Sequence, residues 1–255
     1  PYAYALSSAG RPGERSPEKV EELYEVLSEL KAFQCLHACR TNGLSPLANS
    51  LLDSINAVDD LYPLELNYCP DCFNCQLSVV VPPEKMFNEY LYVSSTNKTF
   101  REHFANLANK LINDFSLKSN SFVVDIGSND GVFLKPLQDK GIKIIGVDPA
   151  KNLSDIANQN GIETIPDFFS ENVVQQIVND KGNADLVTAF NVFAHSDGLK
   201  DIAINVFKLL KRDGIFIIEV QYLLDTLKDT TFDNIYHEHV NYWTVTSLNN
   251  FLLKL

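Results

Sequence analysis

Five short apolar runs in the second half of the chain, at 122–126, 142–147, 162–165, 184–190 and 214–220, alternate with stretches of helical periodicity at 132–140, 152–160, 170–179 and 200–210. A strand that is apolar along its length, without in-out alternation, has to be buried on both faces. Strands of that kind joined through helices run parallel with right-handed crossovers, so an α/β doubly wound sheet is expected here. Such sheets bind ligands at the carboxyl ends of their strands. The residues that follow each run therefore carry the chemical information.

Composition narrows the setting. The 255 residues hold 21 Lys and Arg against 33 Asp and Glu, a net charge of −12, which argues against a nucleic-acid partner. No apolar run reaches the roughly 18 residues of a membrane span, and no basic-then-apolar leader opens the sequence, so no membrane or secretory role is expected. Residues 1–34 read as a Gly- and Pro-rich flexible lead-in followed by an amphipathic helix carrying Val20, Leu23, Leu27 and Leu30. Residues 35–84 are irregular and hold all five cysteines, and residues 85–255 form the sheet domain, opening with a helical segment over 85–118. An odd number of cysteines crowded into one segment makes a poor disulfide framework and a better metal site, in a reducing, cytoplasmic compartment.

The first run leads straight into Asp125-Ile126-Gly127-Ser128-Asn129-Asp130-Gly131. A dinucleotide fingerprint would need glycines two and five residues after Gly127, where Asn129 and Val132 stand. The pattern D-x-G-x-x-x-G instead resembles the first motif of class I S-adenosylmethionine-dependent methyltransferases. Asp148, before Pro149, ends the second run, where a carboxylate can accept two ribose hydroxyls. Asp167 and Phe168 follow the third, suited to an adenine amino group and a ring face. Asp125, Gly127, Ser128, Asn129, Gly131, Asp148, Pro149, Asp167, Phe168 and Asn191 are the expected cofactor residues.

The fourth run ends in Asn191-Val192-Phe193-Ala194-His195, and beyond the fifth comes Ile235-Tyr236-His237-Glu238-His239. With SPLANSLL near residue 45, YPLELNYCPDCF near residue 62 and DIGSNDG, these segments resemble the sugar C-methyltransferase family. Its members methylate a ring carbon of a nucleotide-linked 4-keto-deoxysugar. The chemistry asks for a base to remove a proton beside the ketone, and for donors to hold the enolate oxygen. The resemblance implies His239 as general base, with Tyr236, Glu238 and His195 holding the sugar or enolate. It places Tyr90 or Tyr92 over the cofactor and substrate and Asn191 close to the transferred methyl; Tyr222, an aromatic that core packing also explains, and His237 complete the expected substrate residues. Read as residues alone, His237 and His239 also admit a metal, but no third ligand stands nearby. His37 and His103 read as surface residues.

The family carries a structural four-cysteine zinc site. Cys69 and Cys72 match its C-x2-C knuckle, and Cys39-Arg40 matches the start of its second pair, but Asn42 stands where the last cysteine belongs. The expected zinc set is Cys35, Cys39, Cys69 and Cys72, with Cys75 as a substitute. Family members also continue past the fifth strand into a further region, whereas this sequence stops within a helical pattern at Leu255. A truncated chain is therefore expected, its sheet incomplete and its fifth strand an exposed edge prone to self-association. Two rival readings remain: an O- or N-methyltransferase acting on another small molecule, and a non-catalytic zinc- and cofactor-binding fragment. Oligomeric state is left open.

Overall fold

The computed structural model describes residues 2–7, 43–51, 54, 56–70 and 72–255. The expected helix near 17–30 and Cys35, His37, Cys39 and Asn42 lie outside the described residues. The chain forms β1 (Tyr2–Ser7), β2 (Leu44–Ser45), β3 (Tyr62–Pro63), β4 (Leu66–Tyr68) and β5 (Cys75–Leu77), then α1 (Pro83–Phe87) and α2 (Lys98–Asp114). The alternating half follows as β6 (Phe122–Ile126), α3 (Leu134–Gln138), β7 (Lys143–Val147), α4 (Lys151–Gln159), β8 (Thr164–Ile165), α5 (Glu171–Lys181), β9 (Ala184–Phe190), α6 (Leu199–Leu209) and β10 (Leu210–Val220). After it come α7 (Leu223–Lys228), β11 (Asn241–Tyr242) and α8 (Val245–Leu252).

The main sheet has the order β1-β10-β9-β6-β7-β8, and every pair from β10 to β8 is parallel. Successive strand residues point to opposite faces, which divides the core in two. Val124, Val187 and Ile218 meet Val173 and Ile177 of α5, Val206 and Leu209 of α6, and Trp243. Val123, Leu186 and Ile217 meet Phe104 and Leu111 of α2 and Leu134 and Leu137 of α3. The chain winds outward in both directions from β6, so a crevice opens at its carboxyl end, where a ligand enters such a fold.

Three expectations change. The lead-in is not all loop: Tyr2–Ser7 pairs antiparallel with β10, from Tyr2 opposite Val220 to Ser7 opposite Ile215. The fifth strand is therefore paired on both sides, which removes the premise for edge-driven self-association. The helical segment from residue 85 is two helices, because Asn97 caps α2 by accepting from the Thr99 and Phe100 N–H groups. Residues 88–97 between them run as an irregular strap with one 3-10 turn at Ser94–Thr96.

The cysteine-bearing region is not self-contained. Its small sheet has the order β11-β5-β4, so its far strand comes from beyond the Tyr-His-Glu-His run. Cys75, Leu77, Leu223 and Tyr242 form the apolar cluster beneath it.

Candidate active site

The crevice is a cavity of about 1080 Å³, and its wall includes Asp125, Gly127, Ser128, Asn129, Asp148, Pro149, Phe168, Asn191, Tyr90, Tyr92, His195, Tyr236, Glu238 and His239. Residues from six separate sequence segments thus meet in one place.

The glycine-rich turn forms the floor. Gly127 has φ +67°, and a Cβ there would come within 2.6 Å of Val192 Cγ2, so backbone alone fits the approach. Asp125 is fully buried, its carboxyl bonded to Thr188 Oγ1 at 2.6 Å. Burial and then the neighbouring Asp148, opposed by the Thr188 bond, raise its pKa to about 8. Asp148 accepts from the Asn129 N–H at 2.8 Å and the Ala150 N–H at 2.9 Å, and burial raises its pKa despite both bonds. Ser128 Oγ and Asp130 Oδ1 are buried without a hydrogen-bond partner. A cavity with a deep carboxyl, an acid at the next strand end, and a buried Ser128 hydroxyl without a protein partner suits a cationic, hydroxylated ligand.

The opposite wall carries the titratable groups. His239 Nδ1 lies 2.8 Å from the Asn234 carbonyl, which can only accept, so Nδ1 carries the proton. The Nε2 lone pair then accepts from the Tyr236 hydroxyl at 3.1 Å. Burial lowers the His239 pKa, opposed by the Asn234 carbonyl, so the ring is held neutral. His195 packs edge-on against His239 at 4.8 Å between centroids, and against Phe87 at 5.8 Å. Burial first, and His239 second, bring its pKa down to about 3, and its Nδ1 has no partner.

Glu238 accepts from Asn49 Nδ2 at 2.5 Å and the Tyr90 hydroxyl at 2.9 Å. Burial raises the Glu238 pKa, and these two bonds oppose it. Burial followed by the Glu238 carboxylate raises Tyr90, and the same causes in the same order bring Tyr236 to about 12. Both phenols are therefore proton donors at neutral pH.

Several expected residues stand elsewhere. Tyr222 precedes α7 and bridges to Trp243, outside the cavity wall. His237 is 1% exposed and turns away, its Nε2 against the Pro63 carbonyl at 3.2 Å and its ring edge-on to Tyr62. This leaves His237 no common site with His239, and no group of three or more metal-ligating side chains exists among the described residues. Asp167 lies outside the wall, its carboxylate accepting the Phe168 N–H at 2.7 Å. Gly131, with φ +81°, closes the turn through its N–H to Ser128 O and does not line the cavity. His103 is no free surface group: its Nε2 lies 3.0 Å from the buried Glu219 carboxylate.

Asn49, Phe87 and Asn152 were missed by sequence reasoning. Asn49 sits within SPLANSLL, a segment that already stood out, whereas Asn152 reads only as the first turn of a helix. Cys69 and Cys72 are half-buried and adjacent, and burial and the Cys69 thiol raise Cys72 against a lowering bond from Asn74. Cys75 instead packs in the apolar cluster, where burial pushes its thiol up to about 12.

Residues 100–254 match the family described as “Methyltransferase domain”. The chain belongs to the methyltransferase-domain family. The strand order outward from β6, the glycine-rich turn and the acid after β7 are the class I methyltransferase arrangement. Residues 43–87 match a second family, described as “Putative zinc binding domain”. Among curated relatives of this methyltransferase, C-methyltransferase NovU of Streptomyces niveus is 36% identical over 208 residues, covering 81% of this chain and 50% of NovU. A ubiquinone biosynthesis O-methyltransferase of Pelagibacter ubique is 24% identical over 52% of this chain and 57% of its own length. The chain thus spans about half the length of the curated relatives it matches. A solved SAM-dependent methyltransferase from Archaeoglobus fulgidus shares 20% identity with a TM-score of 0.48, over 60% of this chain and 67% of that one.

Proposed function

We propose that the chain performs S-adenosylmethionine-dependent methylation of a ring carbon beside the ketone of a nucleotide-linked deoxysugar. One observation carries the reading: a neutral His239 whose Nε2 lone pair meets the Tyr236 hydroxyl in the same cavity as the glycine-rich turn. NovU, named a C-methyltransferase, favours carbon over oxygen as the acceptor.

Bound S-adenosylmethionine would supply an electrophilic methyl. Asp125 would face its ammonium end, Asp148 its ribose and Phe168 its adenine ring, with Asn191 near the methyl. His239 Nε2 takes the proton from the substrate carbon, whose electron pair shifts to the carbonyl oxygen to give an enolate. Tyr236, released from Nε2, donates to that oxygen, as Tyr90 can. His195, which packs edge-on against His239 and has a free Nδ1, is kept neutral by burial and holds the sugar or the enolate. Glu238 is held by Asn49 and Tyr90, and Tyr92 closes the near wall.

The test is incubation with labelled S-adenosylmethionine and a nucleotide-linked 4-keto-deoxysugar, with the methyl position read by NMR. Label on a ring carbon, lost roughly 100-fold or more in His239→Ala, is expected. Label on oxygen would replace the reading with O-methylation, and an undiminished His239→Ala would remove that residue as the base.

We infer further that Cys69 and Cys72 supply half of a structural zinc site. Two adjacent thiols fit the tetrahedral sulfur chemistry, and the other two ligands have to come from outside the described residues, where Cys35 and Cys39 lie. Wild-type protein should carry close to one equivalent of zinc by mass spectrometry, and Cys69→Ser should lose it and melt at lower temperature. A metal-free wild type would overturn this. Reduced thiols suit a cytoplasmic setting, and no described helix is long and apolar enough to cross a membrane.

A further inference from the structure

The strap at residues 88–97 carries Tyr90, and its backbone is fastened at both ends by side chains from the cofactor wall. Asn152, in the first turn of α4 after Asp148, accepts the Tyr90 N–H at 3.2 Å and donates to the Tyr90 carbonyl at 2.8 Å. Asn129, in the glycine-rich turn, accepts the Ser94 N–H at 3.0 Å and donates to the Tyr92 carbonyl at 3.0 Å. Asp130 accepts the Ser95 N–H at 3.2 Å, and the Lys151 N–H donates to the Asn88 carbonyl at 3.3 Å. The side chain of Asn129 is thus spent on the strap, while its own N–H is held by Asp148 at 2.8 Å.

We propose that Asn129 and Asn152 are positioning residues for methyl transfer, latching the strap to the two cofactor turns so that Tyr90 reaches Glu238. The proposal rests on the cofactor reading above. A side-chain amide presents N–H donors and a carbonyl acceptor side by side, which is what extended backbone needs, so each asparagine mimics a neighbouring strand. Free strap backbone would bond equally well to water, and Tyr90 would lose its fixed approach. The tyrosine that holds Glu238 is therefore set by the same turns that face the ligand, although neither asparagine side chain has to touch the substrate.

Hydrogen exchange of the strap amides tests this directly, with S-adenosylhomocysteine as the probe. In the wild type the ligand should slow exchange at residues 90–95, and in an Asn129→Ala/Asn152→Ala variant these amides should exchange roughly tenfold faster. The affinity of the single variant Asn152→Ala, whose side chain lies outside the cavity wall, for S-adenosylhomocysteine by calorimetry should change by less than about threefold, while its kcat for transfer falls at least about tenfold. Tyr90→Phe should add little on top, because the latch acts through Tyr90, whereas Asn152→Asp keeps the acceptor for the Tyr90 N–H and should recover part of the rate. Unchanged exchange in the double variant, a rate loss additive with Tyr90→Phe, or affinity falling in step with rate would each overturn the latch alone. Wild-type protein that binds no S-adenosylhomocysteine would overturn the cofactor reading and the latch together.

Discussion

At the scale of single residues, the two walls of the cavity are tuned in opposite directions. His239 has to be neutral to accept a proton, and burial lowers its pKa. The acidic limb of a kcat/KM profile should therefore fall below the ordinary histidine value of about 6.5, with rate retained down to that lower pH. Asp125 shows the reverse case: its folded pKa of about 8 lies above its ordinary 3.8. Between those values the folded state binds the extra proton, so stability conferred at low pH is lost as pH rises towards 8. Thermal melts of ligand-free protein should fall across that window, and Asp125→Asn should flatten the slope. Added S-adenosylhomocysteine, whose ammonium would partner the carboxylate in the proposed cofactor placement, should raise the melting temperature more at pH 8 than at pH 6. Asp125 and Asp148 were legible in the sequence because strand termini are few, whereas Asp167 follows its strand by two residues and misses the wall. The directions of His237 and Tyr222 were not, since they depend on which neighbour each packs against across 174 residues in one case.

At the scale of elements, apolar runs gave the parallel strands to within a residue or two because complete burial leaves no room for polar interruption. β10 begins earlier than its apolar run, at Leu210, because Lys211, Arg212 and Asp213 form an irregularity before Ile215 resumes the pairing. The strap was illegible for a different reason. Residues 88–97 contain no glycine or proline to mark a loop, and the first break signal is the Asn97 cap. The turn after β6 is the element least tolerant of change. Gly131 has φ +81°, and a Cβ there would meet Ile162 Cγ2 at 2.8 Å. Gly131→Ala should cost roughly 1–3 kcal/mol in denaturant unfolding, by strain and overpacking together. On the other side of the sheet, Trp243 is buried and donates to the Phe193 carbonyl at 2.8 Å. Trp243→Ala should cost about 3–5 kcal/mol by the same measurement.

At the scale of the whole molecule, pairing joins chain segments that lie far apart in sequence. β1 covers the edge of β10, a pairing no local pattern announced, because a six-residue strand gains its partner only in the folded sheet. Deleting residues 1–7 should leave β10 unpaired on one side, and light scattering should then detect more self-association than before the deletion. The small sheet behaves similarly: β11 closes on β5, and Asn74 bonds Asn241 at 3.1 Å across 167 residues of sequence. That closure sets an order of events during synthesis. A growing chain emerges with its glycine-rich turn and first parallel strands well before residue 241 is made, and contacts of such long separation form late. The ligand-facing turn can therefore take shape on the ribosome while the cysteine-bearing sheet still waits for its last strand. His239, two residues before that strand, follows the glycine-rich turn by more than a hundred residues, so the two walls of the cavity are made at separate times and meet only when the small sheet closes.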